Sequence, residues 1–138
     1  AMIASLVLRG GLRAQLEREA REAFPRECCG LIEGMREGDA AHAIAFHPTR
    51  NLASESDRFE IDPVEQFRLM REVRERGAEI IGCYHSHPNG AASPSARDRE
   101  GAGETGFIWL IASLGKAQPV ALNAYLYEGG TFSPIALA

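Results

Sequence analysis

Between Cys83 and Asp98 the chain reads CYHSHPNGAASPSARD. His85 and His87 stand one residue apart, and Ser95 and Asp98 stand three apart in number. In a strand, residues i and i+2 share a face with Cα atoms roughly 7 Å apart, so two imidazoles can converge on one ion. Pro88 is expected to stop the ladder directly after the pair and leave it at a strand end. On a helix, residues i and i+3 share a face, so one oxygen of Asp98 can join the two ring nitrogens, with Ser95 beside it. Two histidines and a carboxylate leave the fourth position of a tetrahedral zinc ion open for water, the catalytic pattern rather than the structural one. The pKa of such a water falls toward neutrality, and a nearby carboxylate can take its proton. Glu27 and Glu33, at the edges of the second strand, are the candidates. Taken alone, Ser95 with Asp98 also reads as a helix capping box with Asp in place of Glu. A serine can cap a helix and still face a site.

Other chemistries fit this stretch less well. A serine nucleophile needs a base oriented by a third group. Ser86 alternates to the face opposite His85 and His87 and is expected to point away. Cys28 and Cys29 lie in an apolar strand, where a buried, inert thiol is the expectation. Cys83 shares strand parity with the two histidines and is expected at the floor of the site. His42 and His47 fall in a separate strand and read as surface or packing residues. A zinc deaminase requires His-x-Glu and a later Pro-Cys-x-x-Cys, and neither is present.

The elements that must position these groups follow from periodicity. MIASLVL reads as a first strand, and Leu12, Leu16, Ala20 and Ala23 form a helical stripe that Pro25 ends. CCGLIEGM and AHAIAFHP read as antiparallel neighbours across the REGDA turn. FEI reads as a short strand. The next helix starts with Asp62 as N-cap and Pro63 at its first position, and Gly77 closes it. AEIIGCYHSH, FIWLIAS, VALNAYLY and TFSPIAL are further strands, with a short helix from SARDREGAG between the first two. The sum is an α/β (α+β) domain, a mostly antiparallel sheet with helices packed on it.

Bulk properties set the frame. A chain of 138 residues suits one domain, read here as residues 2–138, and the Ala before Met2 reads as a remnant of expression. The 45% apolar content fits a folded domain. No apolar run reaches the roughly 18 residues of a membrane span, and the N-terminus lacks the pattern of a signal peptide. Net charge is −4, with bases and acids interleaved, which argues against nucleic-acid binding. Three cysteines, two of them adjacent, make a poor disulfide framework and point to a reducing cytoplasm.

Glu27, then His85-Ser86-His87-Pro88, six residues, Ser95, two residues and Asp98 together resemble the JAMM motif of the MPN-domain metallopeptidases. PRECCGLIEG resembles the segment that carries that family's catalytic glutamate, and NLASESDRFEIDP resembles a following segment. The resemblance runs from about Leu6 to Tyr127. It implies a cytidine-deaminase-like fold, a curved sheet between helices. It implies one zinc ion per chain held by His85, His87 and Asp98, with Glu27 as general base and Ser95 bonding the oxyanion. It implies cleavage of a peptide or isopeptide bond, often after the C-terminal glycines of ubiquitin or a ubiquitin-like protein. The compact chain is similar to the small prokaryotic branch, which implies a ThiS/MoaD-type sulfur carrier as partner. Two other readings are a non-catalytic MPN scaffold and a RadC-like, DNA-linked protein. The complete residue set argues against the scaffold. The PRECCGLIEG flank and the acidic balance argue against the RadC-like reading.

Overall fold

The computed structural model of the chain describes residues 2–54, 59–101, 103, 105–115 and 119–138. Among the described residues, seven strands and three helices follow in the order Ser5–Leu8 (β1), Leu12–Ala23 (α1), Cys29–Glu37 (β2), Ala40–Thr49 (β3), Pro63–Glu75 (α2), Glu79–Pro88 (β4), Ala96–Glu100 (α3), Ile108–Leu114 (β5), Ala121–Glu128 (β6) and Thr131–Leu137 (β7). Asp62 caps α2 by accepting from the Val64 amide, with Pro63 at the first turn as expected. Gly77 follows the helix at φ 83°, a conformation that glycine adopts without strain.

The sheet closes. Its strand order is β1-β3-β2-β4-β5-β6-β7, and β1 pairs with both β3 and β7. Pairings of β2 with β3, β2 with β4, β5 with β6 and β6 with β7 are antiparallel. Those of β1 with its two neighbours and of β4 with β5 are parallel. The expected curved sheet is thus a barrel, which leaves few unpaired edges.

Each face of the wall carries a core. Leu12, Leu16 and Ala20 of α1 pack with Leu6, Ile32, Phe46, Ile81, Tyr84 and Leu110 in the larger one. Leu69 and Val73 of α2 pack with Leu31, Ile80, Cys83, Phe107 and Trp109 in the smaller one. The Tyr84 hydroxyl donates to the Leu16 carbonyl at 2.6 Å and ties α1 to β4. Strict alternation would put Ile81 and Cys83 on one face, yet they lie on opposite ones. Ile32 pairs with Gly82 and Glu33 with Ile80, so a bulge inserts Ile81 and resets the parity. Downstream of that bulge, Cys83, His85 and His87 follow on the α2 side.

Two expectations are corrected. Phe59–Ile61 is not a strand: among the described residues it joins no sheet ladder, its backbone bonding only to the 51–52 loop, and its apolar side chains pack against the smaller core. Pro88 does not break the ladder. It is the last residue of β4 and stays in register with Leu114. The Asn89 amide continues to the Leu114 carbonyl, while the missing Pro88 N–H faces the side where β2 has already ended. Part of NLASESDRFEIDP, residues 55–58, lies outside the described residues.

β4 and β5 approach closely at Gly82, where an added Cβ would lie 1.9 Å from the Ile108 carbonyl oxygen. Backbone cannot yield to that contact without opening the pairing that places His85 and His87. Gly82→Ala should therefore cost roughly 3 kcal/mol, the upper part of the range for overpacking. Urea unfolding checks this, and an unchanged midpoint would contradict it.

Candidate active site

Glu27 and the two histidines meet through strand register. Cys29 lies opposite His85 in the antiparallel β2–β4 pair. Continuing that register one residue at a time places Cys28 opposite Ser86 and Glu27 opposite His87, and opposed residues share a face. The Ser86 amide donates to the Cys28 carbonyl at 3.2 Å, and the Ser86 hydroxyl accepts from the Cys28 amide at 2.9 Å. Ser86 thus points away from the histidines, as its parity required, and serves as an anchor for β2. Glu27 itself is only 4% exposed. One of its carboxylate oxygens and a ring nitrogen of each histidine all lie within 4.8 Å of one another.

The third candidate ligand, Asp98, comes from α3. Ser95 caps this helix through a full capping box. Its hydroxyl accepts from the Asp98 amide at 3.0 Å, and the Asp98 carboxylate accepts from the Ser95 amide at 2.9 Å. The cap holds Asp98 against the histidines, with its carboxylate 3.2 Å from the Nε2 of His85 and of His87. The two Nε2 atoms are 3.1 Å apart. A tetrahedral ion with bonds of about 2.0 Å spaces its ligand atoms about 3.3 Å apart, so this triangle fits a small divalent metal. The His87 Nδ1 lies 2.8 Å from the Ala91 carbonyl, to which it donates, and that leaves the Nε2 lone pair for the metal. His85 Nδ1 is buried with no hydrogen-bond partner among the described residues. The His85 ring is held by packing: Phe59 stacks on it at 4.3 Å, and Trp109 meets it edge-on at 5.4 Å.

Charge in this cluster is set by burial and pairing together. Burial lowers the His85 pKa and keeps the ring neutral, as a ligand must be. His87 also feels burial, but its bond to Asp98, the Ala91 carbonyl and the Asp98 charge outweigh it and raise its pKa. Burial alone would raise Asp98, yet the two imidazoles and the Ser95 amide hold its carboxyl well below the usual range.

The other candidates fall outside this cluster. Glu33 is buried on β2, where its carboxylate takes His47 Nε2 at 2.8 Å and the Arg76 guanidinium at 2.7 Å. Burial pushes its pKa up, but Arg76 and His47 outweigh that and hold it below the ordinary value. Glu33 is thus a structural anion, and His47 is its partner rather than a loose surface residue. Burial pushes the Cys28 thiol up to about 11 and raises Cys29 and Cys83 as well, so none is a poised thiolate. Cys83 does line the floor, within a cavity of about 540 Å³ that also meets Asp98, Phe59, Trp109 and Arg97. Phe59 and Trp109 were missed from sequence because an aromatic in an apolar strand carries no sign of what it will stack on.

A closed, helix-flanked sheet thus brings together a His-x-His strand end, a capped aspartate and an opposed glutamate, an arrangement similar to the JAMM motif. The chain belongs to the family of prokaryotic homologs of the JAB domain, whose family model matches residues 11–125. It is 33% identical over 138 residues to the desampylase of Haloferax volcanii, covering 96% of this chain and 95% of that one. It is 34% identical over 87 residues to the probable TtuB-protein conjugate cleaving protease of Thermus thermophilus, covering 62% of this chain and 53% of that one. A solution structure of a protein from Desulfitobacterium hafniense matches with TM-score 0.87 at 30% identity, covering 96% of this chain and 91% of that one. The chain is accordingly an enzyme of the JAMM hydrolase type. No helix among the described residues is long and apolar enough to cross a membrane.

Glu33→Gln separates the two buried glutamates. It should destabilise the fold by roughly 1–3 kcal/mol through a weakened buried partner, while metal stoichiometry stays unchanged. Loss of metal without loss of stability would place Glu33 in the site after all.

Proposed function

We propose that the chain is a zinc-dependent isopeptidase that cleaves after the C-terminal glycine tail of a ubiquitin-like protein of the ThiS/MoaD sulfur-carrier type. The observation that carries this reading is the convergence of the His85, His87 and Asp98 donor atoms at 3.1–3.2 Å, with the Glu27 carboxylate beside them. Two imidazoles and a carboxylate suit zinc with one position left open. The names of the desampylase and of the conjugate-cleaving protease support a conjugate of a ubiquitin-like protein as substrate.

Zinc, when bound, acts as a Lewis acid that polarises the scissile carbonyl and brings a water's pKa near neutrality. Glu27 takes a proton from the attacking water as oxygen bonds to the carbonyl carbon. It then delivers that proton to the amine nitrogen as the carbon–nitrogen bond breaks. Glu27 is buried, so its proton is not lost to bulk water between the two transfers. The Ser95 hydroxyl accepts the Asp98 amide through a lone pair, which leaves its own proton for the oxyanion. The cavity of about 540 Å³ beside Asp98 receives the tail. Bare glycines need no side-chain pockets there, only backbone hydrogen bonds.

Glu27→Gln keeps the shape and removes the base. With carrier fusions as substrate, its kcat should fall roughly 10²–10⁴-fold at unchanged zinc content. Mass spectrometry should place the wild-type cut after the terminal glycines. Intact hydrolysis by the variant, or a wild-type protein that binds no zinc, would sink the mechanism.

Zinc and protons compete for the histidine nitrogens. Because pairing with Asp98 raises His87 above its ordinary 6.5, zinc retention should begin to weaken above that pH as the solution is acidified. Chelator competition across pH 5–8, with zinc counted at each point, tests the sign. Retention that improves on acidification would contradict it.

A further inference from the structure

The peptide unit between Glu27 and Cys28 is held at both ends by side chains from other elements. Its N–H donates to the Ser86 hydroxyl on β4, and its carbonyl accepts from Asn51 Nδ2 at 3.2 Å. A planar peptide gripped at both ends cannot rotate, so the direction in which the Glu27 side chain leaves the backbone is set. One residue earlier, the Arg26 guanidinium also bonds the Ala53 carbonyl, which ties the same short stretch to residues 51–53 a second time.

The other arm of Asn51 reaches the opposite wall of the site. Its Oδ1 accepts from the Ala53 amide at 2.9 Å and from the Glu60 amide at 2.9 Å. The Leu52 amide completes the junction by donating to the Glu60 carbonyl at 2.9 Å. Two N–H donors on one side demand the amide oxygen there, which leaves the amide nitrogen for the Glu27 carbonyl. The neighbour of Glu60 is Phe59, the ring stacked on His85. One asparagine therefore joins the backbone of the base to the segment that lays an aromatic over a metal ligand.

We infer that Asn51 is a positioning residue for the reaction: its amide nitrogen orients Glu27, and its amide oxygen sets Phe59 against His85. The inference rests on the hydrolytic reading above, but its two arms can be followed separately. Asn51→Asp retains an acceptor for Ala53 and Glu60 and sets a second oxygen against the Glu27 carbonyl. Asn51→Ala removes both arms. Trp109, the single tryptophan, sits edge-on to His85 and to Phe59 and reports on that wall.

The experiment uses zinc-loaded wild-type, Asn51→Asp and Asn51→Ala proteins, with a glycine-tailed carrier fusion as substrate. The Asp variant should lose roughly 10–100-fold in kcat with KM within about twofold, as expected for a displaced catalytic group. Its Cys28 amide resonance should move, while Glu60 amide exchange and Trp109 emission stay as in wild type. The Ala variant should show the same kcat loss, faster Glu60 exchange and altered Trp109 emission. Wild-type kcat in the Asp variant overturns the inference. So does an Ala variant with unchanged Glu60 exchange and Trp109 emission, a kcat loss that merely follows lost zinc, or unfolding of both variants. Should the wild type cut no carrier fusion, the hydrolytic reading fails on its own, and the Cys28, Glu60 and Trp109 signals still decide whether Asn51 couples the two walls.

Discussion

Antiparallel register between β2 and β4 is the constraint on which the site depends. Cys29 opposite His85 puts Glu27 beside His87, and a slip of one residue would send either Glu27 or the histidines to the other face. Three glycines let the flanking strands close on this pair, β3 on β2 and β5 on β4, by permitting approaches that a Cβ would obstruct. A Cβ on Gly30 would meet the His47 carbonyl, one on Gly34 the His42 carbonyl, and one on Gly82 the Ile108 carbonyl. The bulge at Ile81 then turns the strand so that Cys83, His85 and His87 share the face that α2 and Trp109 cover.

Burial sets the chemistry within this frame. Water is excluded from His85, Asp98 and Glu27 alike, and the first two respond according to their partners. His85 loses affinity for a proton, and Asp98 stays ionised because two imidazoles and a backbone amide face it. Glu27 and Glu33 differ in what surrounds them. Both are buried carboxylates on one segment, but Glu33 is paired with Arg76 and His47, whereas Glu27 lies beside His85 and His87.

Much of the fold was legible because periodicity and turn chemistry act locally. The stripe of Leu12, Leu16 and Ala20, the Asp62–Pro63 start of α2 and the β2–β3 hairpin all appear where the residues placed them. Closure of the barrel was not legible, since the parallel pairings of β1 with β3 and β7 join segments far apart in the chain. Phe59–Ile61 misled for the same reason: alternating apolar residues describe a strand only when another strand is there to pair with it.

For the site, residue type and spacing alone put His85 and His87 on one face and Ser95 with Asp98 on another, and set Ser86 apart from both. Those relations follow from backbone geometry over a few residues. What spacing left open was which of Glu27 and Glu33 lies beside the histidines; tertiary pairing places Glu27 there, and hydrogen bonds 58 and 24 residues apart in sequence, with Ser86 and Asn51, grip the 27–28 peptide. The aromatic walls on His85 and the role of Asn51 also exist only in three dimensions, because a contact between distant segments has no local signature in the chain.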